Sequence, residues 1–136
     1  MITFKSTSPL ETFNIGFNLS KEIKSGDIIG LEGSLGSGKS VLIRGVLSGL
    51  GVSEVIPSPT FTLVNEYVAK FNIFHFDLYR LNNPYELYEI GFEEYVYSSD
   101  VSIIDWYKKA IDLLPEKMIK IEIRVESDND RTIHIY

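Results

Sequence analysis

Eight consecutive residues, Gly33-Ser34-Leu35-Gly36-Ser37-Gly38-Lys39-Ser40, have the types and the spacing to hold phosphate. They satisfy the pattern G-x-x-x-x-G-K-[ST] without a mismatch. Gly33, Gly36 and Gly38 can take backbone angles barred to other residues, and they let the main chain come close to a ligand. Successive N–H groups can then line a concave anion site, and a helix starting at the loop adds its positive end. Lys39 would be the point charge for the β- and γ-phosphates, and the Ser40 hydroxyl the natural Mg²⁺ ligand. The residues expected to contact the nucleotide are Gly33, Ser34, Leu35, Gly36, Ser37, Gly38, Lys39, Ser40 and Val41.

Such a loop works only between a strand and a helix. Asp27-Ile28-Ile29-Gly30-Leu31-Glu32 reads as a buried strand, and Ile43, Val46, Leu47 and Leu50 fall at i, i+3, i+4 and i+7, one face of a helix that Gly51 would end. The loop also needs a carboxylate near its metal, at the carboxyl end of a neighbouring apolar strand. Two are available. Asp105 ends Val101-Ser102-Ile103-Ile104, and Asp77 ends Ile73-Phe74-His75-Phe76. The expectation is that Asp105 holds Mg²⁺, directly or through water, and that Asp77 orients the attacking water or completes the metal shell. His75 shares a strand face with Asp77 and is either an aid to the site or a half-buried structural histidine hydrogen-bonded to backbone. Arg80 either neutralises phosphate charge or pairs with a surface carboxylate. Ser58 and Thr60 sit where switch loops present a hydroxyl to the γ-phosphate. Trp106, the single tryptophan, is expected to pack, and His134 to be structural.

Around these residues strands alternate with helices. Ile2 to Lys5 reads as a short strand. Ser8 to Ile23 reads as a helix, with Ser8 as cap, Pro9 in the first turn, Glu11 three residues after the cap, and Leu10, Phe13 and Phe17 on one face. Pro57-Ser58-Pro59 forces an extended loop, and Thr60 to Val64 alternates as a strand. Phe71 to Tyr79 reads as another strand. A helix starts at Asn83-Pro84-Tyr85-Glu86 and runs to about Gly91, a further helix covers Lys108 to Leu114, and Met118 to Val125 with Arg131 to Tyr136 form a terminal hairpin. This order predicts an α/β fold, a P-loop NTPase-like three-layer sandwich with a mostly parallel central sheet and antiparallel edge strands. A chain of 136 residues has room for one such domain over 1–136. With no cysteine there is no disulfide or thiolate metal site, no apolar run reaches a membrane span, and the N-terminus lacks signal-peptide character, so the expected location is the cytoplasm. The net charge of −6 argues against this chain gripping nucleic acid by itself.

Several segments together resemble one family, the bacterial threonylcarbamoyladenosine biosynthesis ATPase TsaE, also called YjeE. They are Leu31 to Ser40 with Arg44-Gly45, Ser58-Pro59-Thr60-Phe61-Thr62-Leu63-Val64 with Tyr67, His75-Phe76-Asp77-Leu78-Tyr79-Arg80-Leu81, Leu87 through Gly91, and Ile104-Asp105-Trp106. The resemblance implies an ATP- and Mg²⁺-dependent ATPase that acts on the TsaB–TsaD pair and meets tRNA only through that complex. There it would support threonylcarbamoylation of the adenosine beside the anticodon in tRNAs that read ANN codons. By resemblance, Lys39, Asp77 and Thr60 would be catalytic, with Thr60 and Asp77 in two switch-like loops. Ser40 and Asp105 would hold the metal, and the chain ends, Pro9 and Arg131 among them, would shape the adenine pocket. Three departures stand out. Asp105 replaces a glutamate, Tyr107 a frequent proline, and Ser34 a frequent aspartate; Ser40 stands where threonine is commoner.

Two other readings fit a P-loop. A small-molecule kinase of nucleoside or shikimate type would carry an arginine-bearing lid, whereas the arginines here are Arg44, Arg80, Arg124 and Arg131 and no insertion reads as a lid. A non-catalytic nucleotide-dependent adaptor would not need Lys39, Ser40 and two carboxylates. No guanine-reading Asn-Lys-x-Asp segment is present, which favours adenine.

Overall fold

Branched apolar residues at every second strand position decide which face each strand shows to which helix. The computed structural model describes residues 1–52 and 64–136. Its seven strands are β1 (Ile2–Ser6), β2 (Ile28–Glu32), β3 (Val64–Val68), β4 (Asn72–Asp77), β5 (Val101–Asp105), β6 (Ile119–Val125) and β7 (Arg131–Ile135). They form one sheet in the order β1-β7-β6-β2-β5-β4-β3. The central pairings β6–β2, β2–β5 and β5–β4 are parallel. The pairings β1–β7, β7–β6 and β4–β3 are antiparallel. This is the expected sandwich with antiparallel edges.

Helices α1 (Pro9–Leu19) and α2 (Lys39–Gly49) lie on one side of the sheet, and the short helices α3 (Tyr85–Glu89) and α4 (Phe92–Val96) on the other. Ile29, Leu31, Ile73, Val101, Ile103, Ile121 and Ile123 pack with Leu42, Ile43, Val46 and Leu47 of α2. The alternate residues Phe74, Phe76 and Ile104 pack with Leu87, Phe92 and Val96. The face read for α2 is thus the one that is buried. Its end is a Schellman motif: Gly51, at φ 96, donates its N–H to Ser48 O, and Val52 donates to Leu47 O.

The expected helix over 8–23 is corrected. Ser8 does cap it, its Oγ accepting from the Glu11 N–H, but α1 stops at Leu19 and continues as a 3₁₀ turn over Ser20–Glu22. Its buried face is also different: Leu10 and Phe17 are exposed, while Thr12 and Gly16 are buried against α2. Residues Tyr107–Leu113 are 3₁₀, broken at Ala110, rather than α-helix, and α4 is an element for which the sequence pattern gave no expectation. The loop over Pro57-Ser58-Pro59 and most of the strand expected from Thr60 lie outside the described residues.

Candidate functional site

The glycine loop joins β2 to α2 at the carboxyl end of the parallel strands, where side chains from β4 and β5 also emerge. Gly38 is the cap residue of α2 at φ 107, ψ 12, a conformation costly for any residue with a Cβ. A Cβ on Gly33 would stand 2.7 Å from Ser37 Oγ and 2.9 Å from Ile123 O, so the loop enters against β6 with no room for a side chain. The first N–H groups of α2 have no intrahelical acceptors and face the loop mouth.

Three residues converge there. Lys39 Nζ lies 3.2 Å from Asp105 Oδ1, and both side chains are buried. The contact is a charge-assisted one between two buried groups. The same ammonium lies 3.2 Å from the centroid of the Trp106 ring. Burial lowers the Lys39 pKa, against the opposing pull of Asp105, Glu32 and Asp77. Burial likewise raises that of Asp105, opposed by Lys39 and reinforced by Asp77. A buried ion pair such as this contributes little net stability, because desolvation offsets attraction. Its consequence is a cation and a carboxylate held side by side at the start of α2.

Trp106 packs against the core as expected, and its ring also lies against the Lys39 ammonium, a contact that the sequence does not indicate. It is the one non-glycine residue among those described with positive φ, at φ 63, ψ 44. That conformation is strained for a bulky side chain and is typical of functional sites. Its N–H donates to Leu31 O, and its ring packs 5.1 Å from that of Tyr79. The available signal was position: an aromatic residue directly after the strand-end carboxylate.

Asp77 pairs with Asp105 in the β4–β5 register, so the two carboxylates emerge side by side from adjacent strands. Asp77 Oδ1 accepts the Tyr79 N–H at 3.1 Å. His75, two residues earlier, is only 4% exposed, and neither ring nitrogen has a hydrogen-bond partner among the described residues. Burial lowers its pKa to about 4, with Asp77 pulling the other way. An unfolded histidine titrates near 6.5, so between those values the unfolded chain binds more protons and stability falls as pH falls. The His75 contribution is whole above pH 6.5 and about 2.5 kcal/mol is lost by pH 4.5. Replacing His75 with glutamine is expected to flatten the urea-midpoint profile between pH 7.5 and 4.5 by that amount. Parallel profiles for the two proteins would show that the ring is not buried neutral.

The remaining expected residues fall as follows. Ser40 is exposed in the first turn of α2, one residue past Lys39. Arg80 is exposed in the turn after β4. His134 Nδ1 lies 3.1 Å from Thr3 Oγ1 between β7 and β1, far along the sheet from β4. Pro9 opens α1. Thr60 and Ser58 lie outside the described residues. Among the described residues no helix is long and apolar enough to cross a membrane.

The chain matches the family model described as "Threonylcarbamoyl adenosine biosynthesis protein TsaE" over residues 6–133. It is 35% identical over 130 residues to the "tRNA threonylcarbamoyladenosine biosynthesis protein TsaE" of Treponema pallidum, with 96% of each chain covered. The Bacillus subtilis protein of that name is 32% identical over 133 residues, covering 97% of this chain and 83% of the relative. The solved structure titled "Crystal structure of Bacillus subtilus YdiB" superposes with a TM-score of 0.83 at 28% identity, covering 97% of this chain and 82% of the other. The match across nearly the whole length makes this chain a member of the TsaE family of tRNA threonylcarbamoyladenosine biosynthesis proteins.

Proposed function

We propose that this chain is a P-loop ATPase that binds Mg·ATP at residues 33–41 and hydrolyses it in support of the TsaB–TsaD pair during threonylcarbamoyladenosine formation on tRNA. The observation that carries the reading is the Lys39–Asp105 pair at 3.2 Å, buried at the start of a helix whose first amides face the glycine loop. A buried ammonium beside a buried carboxylate fits a polyphosphate and its cation, because each ligand charge meets its opposite there. The donor set suits magnesium: Ser40 and Asp105 offer hard oxygens, and this ion needs one or two protein ligands beside phosphate and water. When bound, Mg²⁺ would neutralise charge on the β- and γ-phosphates.

The chain's own residues would do the rest. The loop amides and the α2 N-terminus bind phosphate oxygens and resist their displacement. Lys39 leaves Asp105 and follows the charge that develops on the γ-phosphate side. Asp77 accepts a hydrogen bond from the attacking water and orients it, with its own position fixed by the Tyr79 N–H. The hydroxyl of Thr60 belongs to the same catalytic set in this reading. The aspartate at 105 is one methylene shorter than the usual glutamate, so its reach toward a metal is shorter and turnover by the isolated chain is expected to be slow.

ATP hydrolysis measured alone and with TsaB plus TsaD is the direct test. The expected result is slow turnover alone and a rise of tenfold or more with both partners. No hydrolysis in either condition would overturn the ATPase reading, and equal rates would overturn the partner reading.

A further inference from the structure

We propose that Arg131 is a positioning residue for the phosphate loop, holding its carbonyls outward so that its amides face the ligand. This rests on the nucleotide-binding reading above. A loop that turns its N–H groups into a cradle turns carbonyl groups the other way, and those need donors of their own. Arg131 supplies them. Its Nε donates to Ser37 O at 2.9 Å, and Nη2 donates to Gly36 O at 3.4 Å. Its Nη1 is turned to the β6–β7 connection, donating to Ser127 O at 2.8 Å, Asp130 O at 3.0 Å and Asp128 O at 3.2 Å. One planar guanidinium thus links the two middle residues of the glycine loop to a turn nearly a hundred residues later.

The anchor is rigid because Arg131 opens β7 and pairs with both Ser6 of β1 and Val125 of β6. The turn does not depend on it. Glu126 N–H donates to Asp130 O at 3.0 Å, and Ser127 Oγ donates to Asp130 Oδ2 at 2.9 Å, so the hairpin keeps its own bonds without the guanidinium. The Gly36 and Ser37 carbonyls are therefore the acceptors with more to lose. A second effect follows from charge. The guanidinium stays protonated, and behind the loop it offsets the negative ends of two peptide dipoles that would otherwise weaken the anion site. Lysine cannot take over, since an ammonium is a point donor and cannot reach two separated sets of carbonyls.

The test uses the full chain with Arg131→Lys and Arg131→Met, titrated by calorimetry with Mg·ADP and with magnesium pyrophosphate. Amide exchange of residues 36–40 is read by NMR without ligand. Both variants are expected to bind both ligands roughly tenfold to a hundredfold more weakly, as is usual when an orienting partner is lost. Loop amides should exchange faster while those of β6 and β7 keep their protection. Three outcomes overturn the inference: unchanged affinity in Arg131→Lys, weakened binding of ADP but not of pyrophosphate (a base contact instead), or loss of protection throughout the hairpin (a fold support only). If Arg131→Met fails to fold, the lysine variant decides. Wild-type protein that binds neither ligand overturns the nucleotide reading instead, and the exchange data then judge the loop-holding role by themselves.

Discussion

Replacing Lys39 with alanine is expected to remove measurable Mg·ATP binding and hydrolysis, a loss of at least about a hundredfold. The structure places the ammonium at the start of α2, 3.2 Å from Asp105 and against the Trp106 ring. Its removal also leaves Asp105 buried beside Asp77 with no opposite charge. Burial already raises the Asp105 pKa, and the ammonium is what opposes that rise. In Lys39→Ala the carboxyl therefore takes up a proton at higher pH than in the parent. A carboxylate whose folded pKa lies above its unfolded one adds stability as pH falls, so the variant should gain stability on acidification relative to the parent. Breaking one side of a buried pair typically costs about 3–5 kcal/mol near neutrality. Lys39→Ala with Asp105→Asn should recover most of that stability and none of the nucleotide affinity. Calorimetric titration with Mg·ATP and urea unfolding at pH 5.5 and 7.5 separate the two effects. Parent-like affinity in the single variant would remove Lys39 from the site.

The parts of this site legible in the sequence are those that local chemistry dictates. The loop announces itself because glycines and a lysine at fixed spacing have few other uses, and the flanking strand and helix follow from apolar period alone. Val101 to Asp105 is a strand over its expected length since it is buried on both faces and ends on a charge. Trp106 was not legible, because its role depends on a backbone turn that swings the ring beneath an ammonium from a distant segment. Arg131 is expected at the adenine pocket, but its hold on the loop was not legible, since its partners lie 94 and 95 positions away and are carbonyls that any residue type could offer. The region over Lys108 to Leu114 has helical spacing, yet a short segment between a left-handed residue and Pro115 closes only 3₁₀ turns. The misread face of α1 has a different origin. Phe13 and Phe17 drew the hydrophobic face toward themselves, whereas the residues of α1 that are buried are the small ones, Thr12 and Gly16. The signal was on the other helix, where Gly45 and Gly49 stand four apart in an otherwise apolar face.

Those glycines predict a second large effect on stability. Gly45→Leu is expected to destabilise the protein by at least about 3 kcal/mol, a sizeable share of the roughly 5–15 kcal/mol typical of a domain. A Cβ on Gly45 would overlap Phe13 O of α1, one on Gly16 would overlap Leu42 O of α2, and one on Gly49 would overlap Ser20 Oγ. The first two obstacles are backbone and cannot rotate away, so the helices must move apart. Alanine at Gly45 gains about 1 kcal/mol of helix propensity and still loses on balance, since overpacking of this kind costs about 1–3 kcal/mol. Gly16→Ala and Gly45→Ala together should cost less than their sum, because one separation of α1 from α2 relieves both overlaps. Ser48→Leu, on the exposed side of the same helix, is the control and should leave the urea midpoint nearly unchanged. Equal midpoints for Gly45→Leu and Ser48→Leu would mean that α1 does not constrain α2. The effect should extend to the site, because α2 begins at Lys39 and Gly16 abuts Leu42, within one turn of that residue. Shifting the helix by about an ångström would pull the ammonium from Asp105 and misplace the loop amides, a displacement that can cost about a hundredfold in rate. Gly16→Ala, remote from the loop glycines, should therefore weaken Mg·ADP binding even at temperatures where the protein is fully folded. The absence of side chains at one helix crossing then sets where the Lys39 ammonium stands.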